Sequence, residues 1–118
     1  MIKYEIKGRI PLKSRIFLIN GVGLSSQINL DEILTKDDEI TIYLDQNRSQ
    51  TDKEKNYHKT YESEFGFTIY DILYLIYSTY WKSVKDLYND DKDVITTLTI
   101  SRFEYNPETK SIYPSADS

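Results

Sequence analysis

The stretch Phe67–Trp81, FTIYDILYLIYSTYW, decides the fold of this chain. It holds four of the eleven tyrosines and the only tryptophan. Thr68 precedes the periodic run and Asp71 follows it by three residues, the spacing of a capping box with Asp in place of the usual Glu. Phe67 and Ile72 stand at the N′ and N4 positions of a hydrophobic staple. The spacing predicts a helix from about Ile69 to about Tyr88, stopped by NDDKD at 89–93. At about 100° per residue, Ile69, Ile72, Leu73, Ile76, Tyr80 and Leu87 share one face, which is expected to meet a sheet. Tyr70, Tyr74, Tyr77, Trp81 and Tyr88 form a second stripe roughly a quarter turn away. Asp71, Ser78, Lys82, Lys85 and Asp86 fill much of the opposite side. The apolar and aromatic sector is therefore wider than the ~100° of an ordinary surface helix.

Two uses of the aromatic stripe follow. It widens the core, with its hydroxyls reaching water at the rim, or it holds a partner, because Tyr and Trp are favoured hot-spot residues. On the second reading the partner-binding residues are Tyr70, Tyr74, Tyr77, Trp81 and Tyr88, centred on Trp81, and the occupant is another protein or a second copy. A membrane span fails on length: the charge-free run is only Ile72–Trp81, against roughly 20 residues for a bilayer. Stacking on nucleobases needs aromatics interleaved with Lys and Arg. Lys82 and Lys85 are too few, so no nucleic-acid partner is expected.

Around this helix the chain reads as strands. Ile2, Tyr4 and Ile6 alternate with Lys3, Glu5 and Lys7, which gives a strand with one wet face, interrupted by Pro11. RIFLIN (15–20) is a more buried strand, ended by Asn20-Gly21-Val22-Gly23. NLDEIL (29–34) suits a short helical turn, with Asn29 as N-cap and Glu32 three residues on. EITIYLD (39–45) alternates again, with Ile40, Ile42 and Leu44 on one side. Residues 46–64 carry no aliphatic side chain and read as a long exposed loop, unless part of it pairs as a strand around Tyr57–Tyr61. VITTLTISRFEY (94–105) is rich in β-branched residues and reads as a long strand. Asn106–Lys110 makes a turn, and SIYP (111–114) a short return strand ended by Pro114, with 115–118 as a tail. The order β-β-β-α-β-β predicts an α+β fold: a mostly antiparallel sheet of about five strands with one long amphipathic helix packed on it.

With 118 residues, 39% of them apolar and 29% charged, the chain is expected to form one globular domain with a core of its own. The absence of cysteine removes disulfides, thiolate zinc sites and cysteine nucleophiles, and suits a cytoplasmic setting. MIKYEIKGRI lacks the apolar run of a signal peptide. A net charge of −4 argues against sustained attraction to nucleic acid.

The candidate chemistry is thin. His58, the single histidine, lies near Tyr57, Tyr61, Glu62 and Glu64. It is a conceivable base or ligand, but a solvated histidine is the simpler reading. Gly21-Val22-Gly23 with Ser25 and Ser26 lacks the following helix of a dinucleotide site and the Lys of a phosphate loop. Asp37-Asp38 and Asp90-Asp91/Asp93 lack calcium-loop spacing. No catalytic residue, metal, cofactor or small-molecule ligand is expected, and no enzyme class is supported.

Two segments carry a resemblance. GFTIYDILYLIYSTYWKSVKDLY contains Gly66, Phe67, Thr68, Ile76 and Tyr80. DVITTLTISRFEYNPETKSIYPSADS contains the run Tyr105–Lys110, then Pro114, Asp117 and Ser118. Together they resemble a loosely related group of small proteins of large DNA viruses of protists, and of protists and algae, marked by a G-F-T helix start and a Y-[ND]-P-E-T-K hairpin. The resemblance covers about half the chain and implies the helix-then-hairpin layout, with no activity attached. The function expected is a non-enzymatic interaction or structural module. The alternative is a small acidic inhibitor of viral or mobile-element origin, which would use Asp37, Asp38, Asp90, Asp91 and Asp93 to block a nucleic-acid-binding partner.

Overall fold

A computed structural model describes residues 1–12, 29–44, 57–91, 93 and 96–117. The strand expected at 15–20, the glycine turn at 20–23 with Ser25 and Ser26, and most of the loop expected at 46–64 lie outside the described residues.

The helix α1 runs Ile69–Tyr88, as its spacing requires. Thr68 caps it: its hydroxyl accepts from Asp71 N–H at 3.1 Å, and Asp71 Oδ2 accepts from Thr68 N–H at 2.9 Å. The next amides are also met, because Ile69 N–H donates to Glu32 O and Tyr70 N–H to Leu30 O. At the far end Asn89 turns left-handed at φ 51°, a conformation asparagine tolerates, and Asp90 N–H closes onto Val84 O.

The strands are β1 (Ile2–Pro11), β2 (Ile33–Thr35), β3 (Glu39–Tyr43), β4 (His58–Glu62), β5 (Phe67–Thr68), β6 (Thr99–Asn106) and β7 (Ser111–Asp117). Five form one sheet in the order β1-β6-β7-β3-β4, antiparallel except for the β7/β3 pair. β2 and β5 form a separate two-stranded ribbon at the N-terminus of α1. The molecule is thus α+β, one helix on a mostly antiparallel sheet. The core between them takes Ile69, Ile72, Leu73, Ile76 and Tyr80 from α1, and Ile40, Ile42, Ile100, Phe103 and Ile112 from the sheet.

Several boundaries differ from expectation for physical reasons. β1 continues to Pro11 instead of breaking before it; among the described residues it is an edge strand, which can spare an N–H. Its register shifts between Glu5 and Ile10, which breaks the simple alternation. Residues 29–32 make the single turn expected, Glu32 N–H donating to Asn29 O at 3.3 Å, but it does not reach residue 34. Asn29 Oδ1 accepts from Asp31 N–H at 3.1 Å, a local turn, and Ile33 then pairs with Thr68. The alternative for Tyr57–Tyr61 holds: His58–Glu62 pairs with β3 residue for residue. β6 starts only at Thr99, since Thr96 and Thr97 belong to a turn. Pro114 does not end β7, and 115–117 is strand and not tail. β3 pairs with β7 only as far as Ile112, so a proline two residues on leaves that ladder intact.

Gly66 locks the ribbon to the helix start. Its φ is +82°, and a Cβ there would run into Thr35 O and come within 2.8 Å of Lys36 Cα. Both are backbone atoms, which cannot rotate away as a side chain would.

Candidate functional site

The five residues of the aromatic stripe share one angular sector of α1 but not one environment. Tyr77 is 3% exposed and belongs to the core. Its ring lies 6.1 Å from that of Trp81. Trp81 is half-buried, and its Nε1–H donates to Leu12 O at 2.9 Å, tying the helix to the end of β1. Tyr88 is half-buried in the last turn. Tyr70 is half-buried and Tyr74 is 48% exposed. These two open onto a groove of about 310 Å³, completed by Phe67, Asp71, Leu75, Glu62 and Ser63. Tyr70 and Tyr74 therefore line one groove together, while Tyr77 and Trp81 make contacts that hold the fold. Helix angle sets the direction in which a side chain points, not what stands there. Leu12 meets the stripe at Trp81, while the lower half faces the groove.

A second cleft of about 350 Å³ adjoins the first and shares Glu62 and Ser63 with it. Its other walls are Asp38, Glu39 and Glu64. Sheet register causes this gathering, because Glu39 and Glu62 stand directly opposite each other across β3 and β4. Like charges in that position destabilise a sheet. Phe65, in the turn between β4 and β5, is 87% exposed. Periodicity along one segment could not show a site made by two strands and a helix. The one sequence signal for it was the density of acidic residues at 37–39 and 62–64.

The acidic residues named from sequence fall into two groups. Asp37 and Asp38 precede β3, whereas Asp90, Asp91 and Asp93 follow the C-terminus of a helix that spans about 30 Å. Asp37 is engaged locally: its amide donates to Thr35 Oγ1, its carboxylate accepts from the same hydroxyl, and Lys110 lies 4.0 Å away. Asp91 Oδ1 accepts from Asp93 N–H. Asp38 alone of the five lines the acidic cleft.

His58 is exposed on the outer face of β4, its ring 5.0 Å from Tyr43, which stacks in turn on Tyr113 at 5.4 Å. Glu62 is four strand residues further along, about 13 Å at strand rise, so the pairing imagined from sequence is not assembled. The helix-facing row of β4 is a clamp. Tyr57 O–H donates to Asp86 Oδ2 at 2.7 Å, and Lys59 lies 3.4 Å from the same oxygen. The Tyr61 hydroxyl is 2.7 Å from Thr79 Oγ1 and accepts from Lys82 Nζ at 3.3 Å. Burial raises the Tyr57 phenol pKa, and the Asp86 hydrogen bond raises it further. The same bond is the main cause holding the Asp86 carboxyl below its ordinary value.

Among the described residues, no group of three or more His, Cys, Asp or Glu side chains is placed to hold a metal ion. No helix among them is long and apolar enough to cross a membrane. No family model, curated protein or solved structure matches the chain.

Proposed function

We propose that this chain is a non-enzymatic protein-interaction module that receives its partner in the groove at the N-terminal half of α1. The observation that carries the reading is Tyr74. It is the one aromatic of α1 that stands exposed, at 48%, and it lies beside Tyr70, Phe67 and Leu75 in an open groove. Exposed aromatics that cluster at a groove are where binding energy concentrates. The groove is built on a capped helix and the Gly66-locked turn, so its walls are preorganised and little ordering entropy opposes docking. The stripe expected as one surface is on this reading shortened to Tyr70 and Tyr74.

The test is association measured for wild type, Tyr74→Ala and Trp81→Phe by affinity capture from the native cell, with light scattering for self-association. The reading expects Tyr74→Ala to lose the species that wild type retains, while Trp81→Phe keeps it. Equal retention by all three chains would remove the groove as the contact surface.

A further inference from the structure

We infer that the partner segment received by the groove is basic, and that it enters through an arginine side chain. This rests on the interaction reading above and adds the chemistry of the occupant. The groove lining combines two tyrosines with the acidic residue Asp71 and with Glu62, which also lines the adjoining cleft and stands opposite Glu39. Asp71 uses one oxygen, Oδ2, to cap the helix through Thr68 N–H. An apolar anchor seated here would crowd the acidic lining and return no hydrogen bond to it. A guanidinium fits both halves of the lining. Its flat face stacks on Tyr70 or Tyr74, and its N–H fork pairs with a carboxylate in two-pronged fashion. Its methylene stem is suited to Phe67 and Leu75.

The adjoining cleft carries the argument from one residue to a segment. Asp38, Glu39, Glu62 and Glu64 line it, contiguous with the groove through Glu62 and Ser63. Glu39 and Glu62 face each other across the strand pair, an arrangement that costs sheet stability until a cation sits between them. A second basic residue of the same segment supplies that cation. The net charge of −4 draws such a segment in at long range. A lysine satisfies the charge but not the stacking or the fork, so arginine is the better occupant.

The experiment uses the full chain and three labelled nonapeptides, read by fluorescence anisotropy: one alternating Arg and Gly, one with Lys for every Arg, and one neutral with Leu for every Arg. The inference expects the Arg peptide to bind most tightly and to weaken as salt rises. Tyr74→Ala, Glu62→Gln and Glu39→Gln should each weaken it by about tenfold. Thermal unfolding of each variant, unchanged from wild type, separates loss of contact from loss of fold. If the Leu peptide binds in a Tyr74-dependent way and the Arg peptide does not, the basic occupant is overturned and the groove reading stands. If the Arg peptide binds with no dependence on Tyr74, or no peptide binds, the groove has no such occupant.

Discussion

At the scale of single residues, backbone neighbours decide more than side-chain character does. Gly66 is an unremarkable letter in ESEFGFT, yet its φ of +82° and the nearby Thr35 and Lys36 backbone leave no room for a methyl group. Gly66→Ala should cost more than about 2 kcal/mol, through the left-handed strain together with the displacement of Lys36. Urea denaturation measures this, and a loss below ~0.5 kcal/mol would mean that the ribbon shifts freely. The same logic divides the tyrosines. Tyr77 and Tyr74 are three residues apart on one stripe, but one is 3% and the other 48% exposed. Two buried hydroxyls on α1 find an acceptor in the helix backbone. Thr79 Oγ1 donates to Leu75 O and Ser83 Oγ to Tyr80 O, both at 2.6 Å. That is why these two hydroxyls cost little where they stand.

At the scale of elements, the helix was legible in the sequence because every local signal agreed: cap, staple, period and stop all point to Ile69–Tyr88. The alternating strand at Glu39–Tyr43 was legible for the same reason, with Ile40, Ile42 and Leu44 all buried. β4 was harder to read because its inward residues Lys59 and Tyr61, and Tyr57 just before it, are not aliphatic, and they meet Asp86, Thr79 and Lys82 of α1 through polar tips. A hydrophobicity pattern does not register such a face. The clamp has a pH signature. Asp86 has its pKa lowered on folding from 3.8, so its contribution is present above pH 3.8 and is lost as pH falls through the lower folded value. Tyr57 has its pKa raised from 10.0, so its contribution is full below pH 10 and declines as pH rises beyond it. Thermal unfolding of wild type against Tyr57→Phe should show an advantage for wild type that is flat near neutrality and shrinks at both extremes. An advantage that stays constant below pH 3 would show that Asp86 is not the acceptor that matters.

At the scale of the whole molecule, two layers suffice to explain the stability and leave the site as a remainder. The sheet order β1-β6-β7-β3-β4 puts strands far apart in sequence side by side, and the parallel β7/β3 pair closes the C-terminal hairpin against the middle of the chain. That pairing was not legible, because alternation tells which face of a strand is wet and not which strand lies beside it. The acidic cleft was hidden for the same reason: it exists only once Glu39 and Glu62 share a register. What remains after the core, caps and clamp are accounted for is the groove under Tyr70 and Tyr74, so the division of the aromatic stripe is the central claim. Denaturant unfolding of Tyr77→Ala and Tyr74→Ala, side by side, tests it most directly. The account predicts that Tyr77→Ala loses about 3–5 kcal/mol, as large aromatic-to-alanine core changes do, while Tyr74→Ala stays within about 1 kcal/mol of wild type. Equal losses at the two positions would mean that Tyr74 is part of the fold and that the groove is not a free surface.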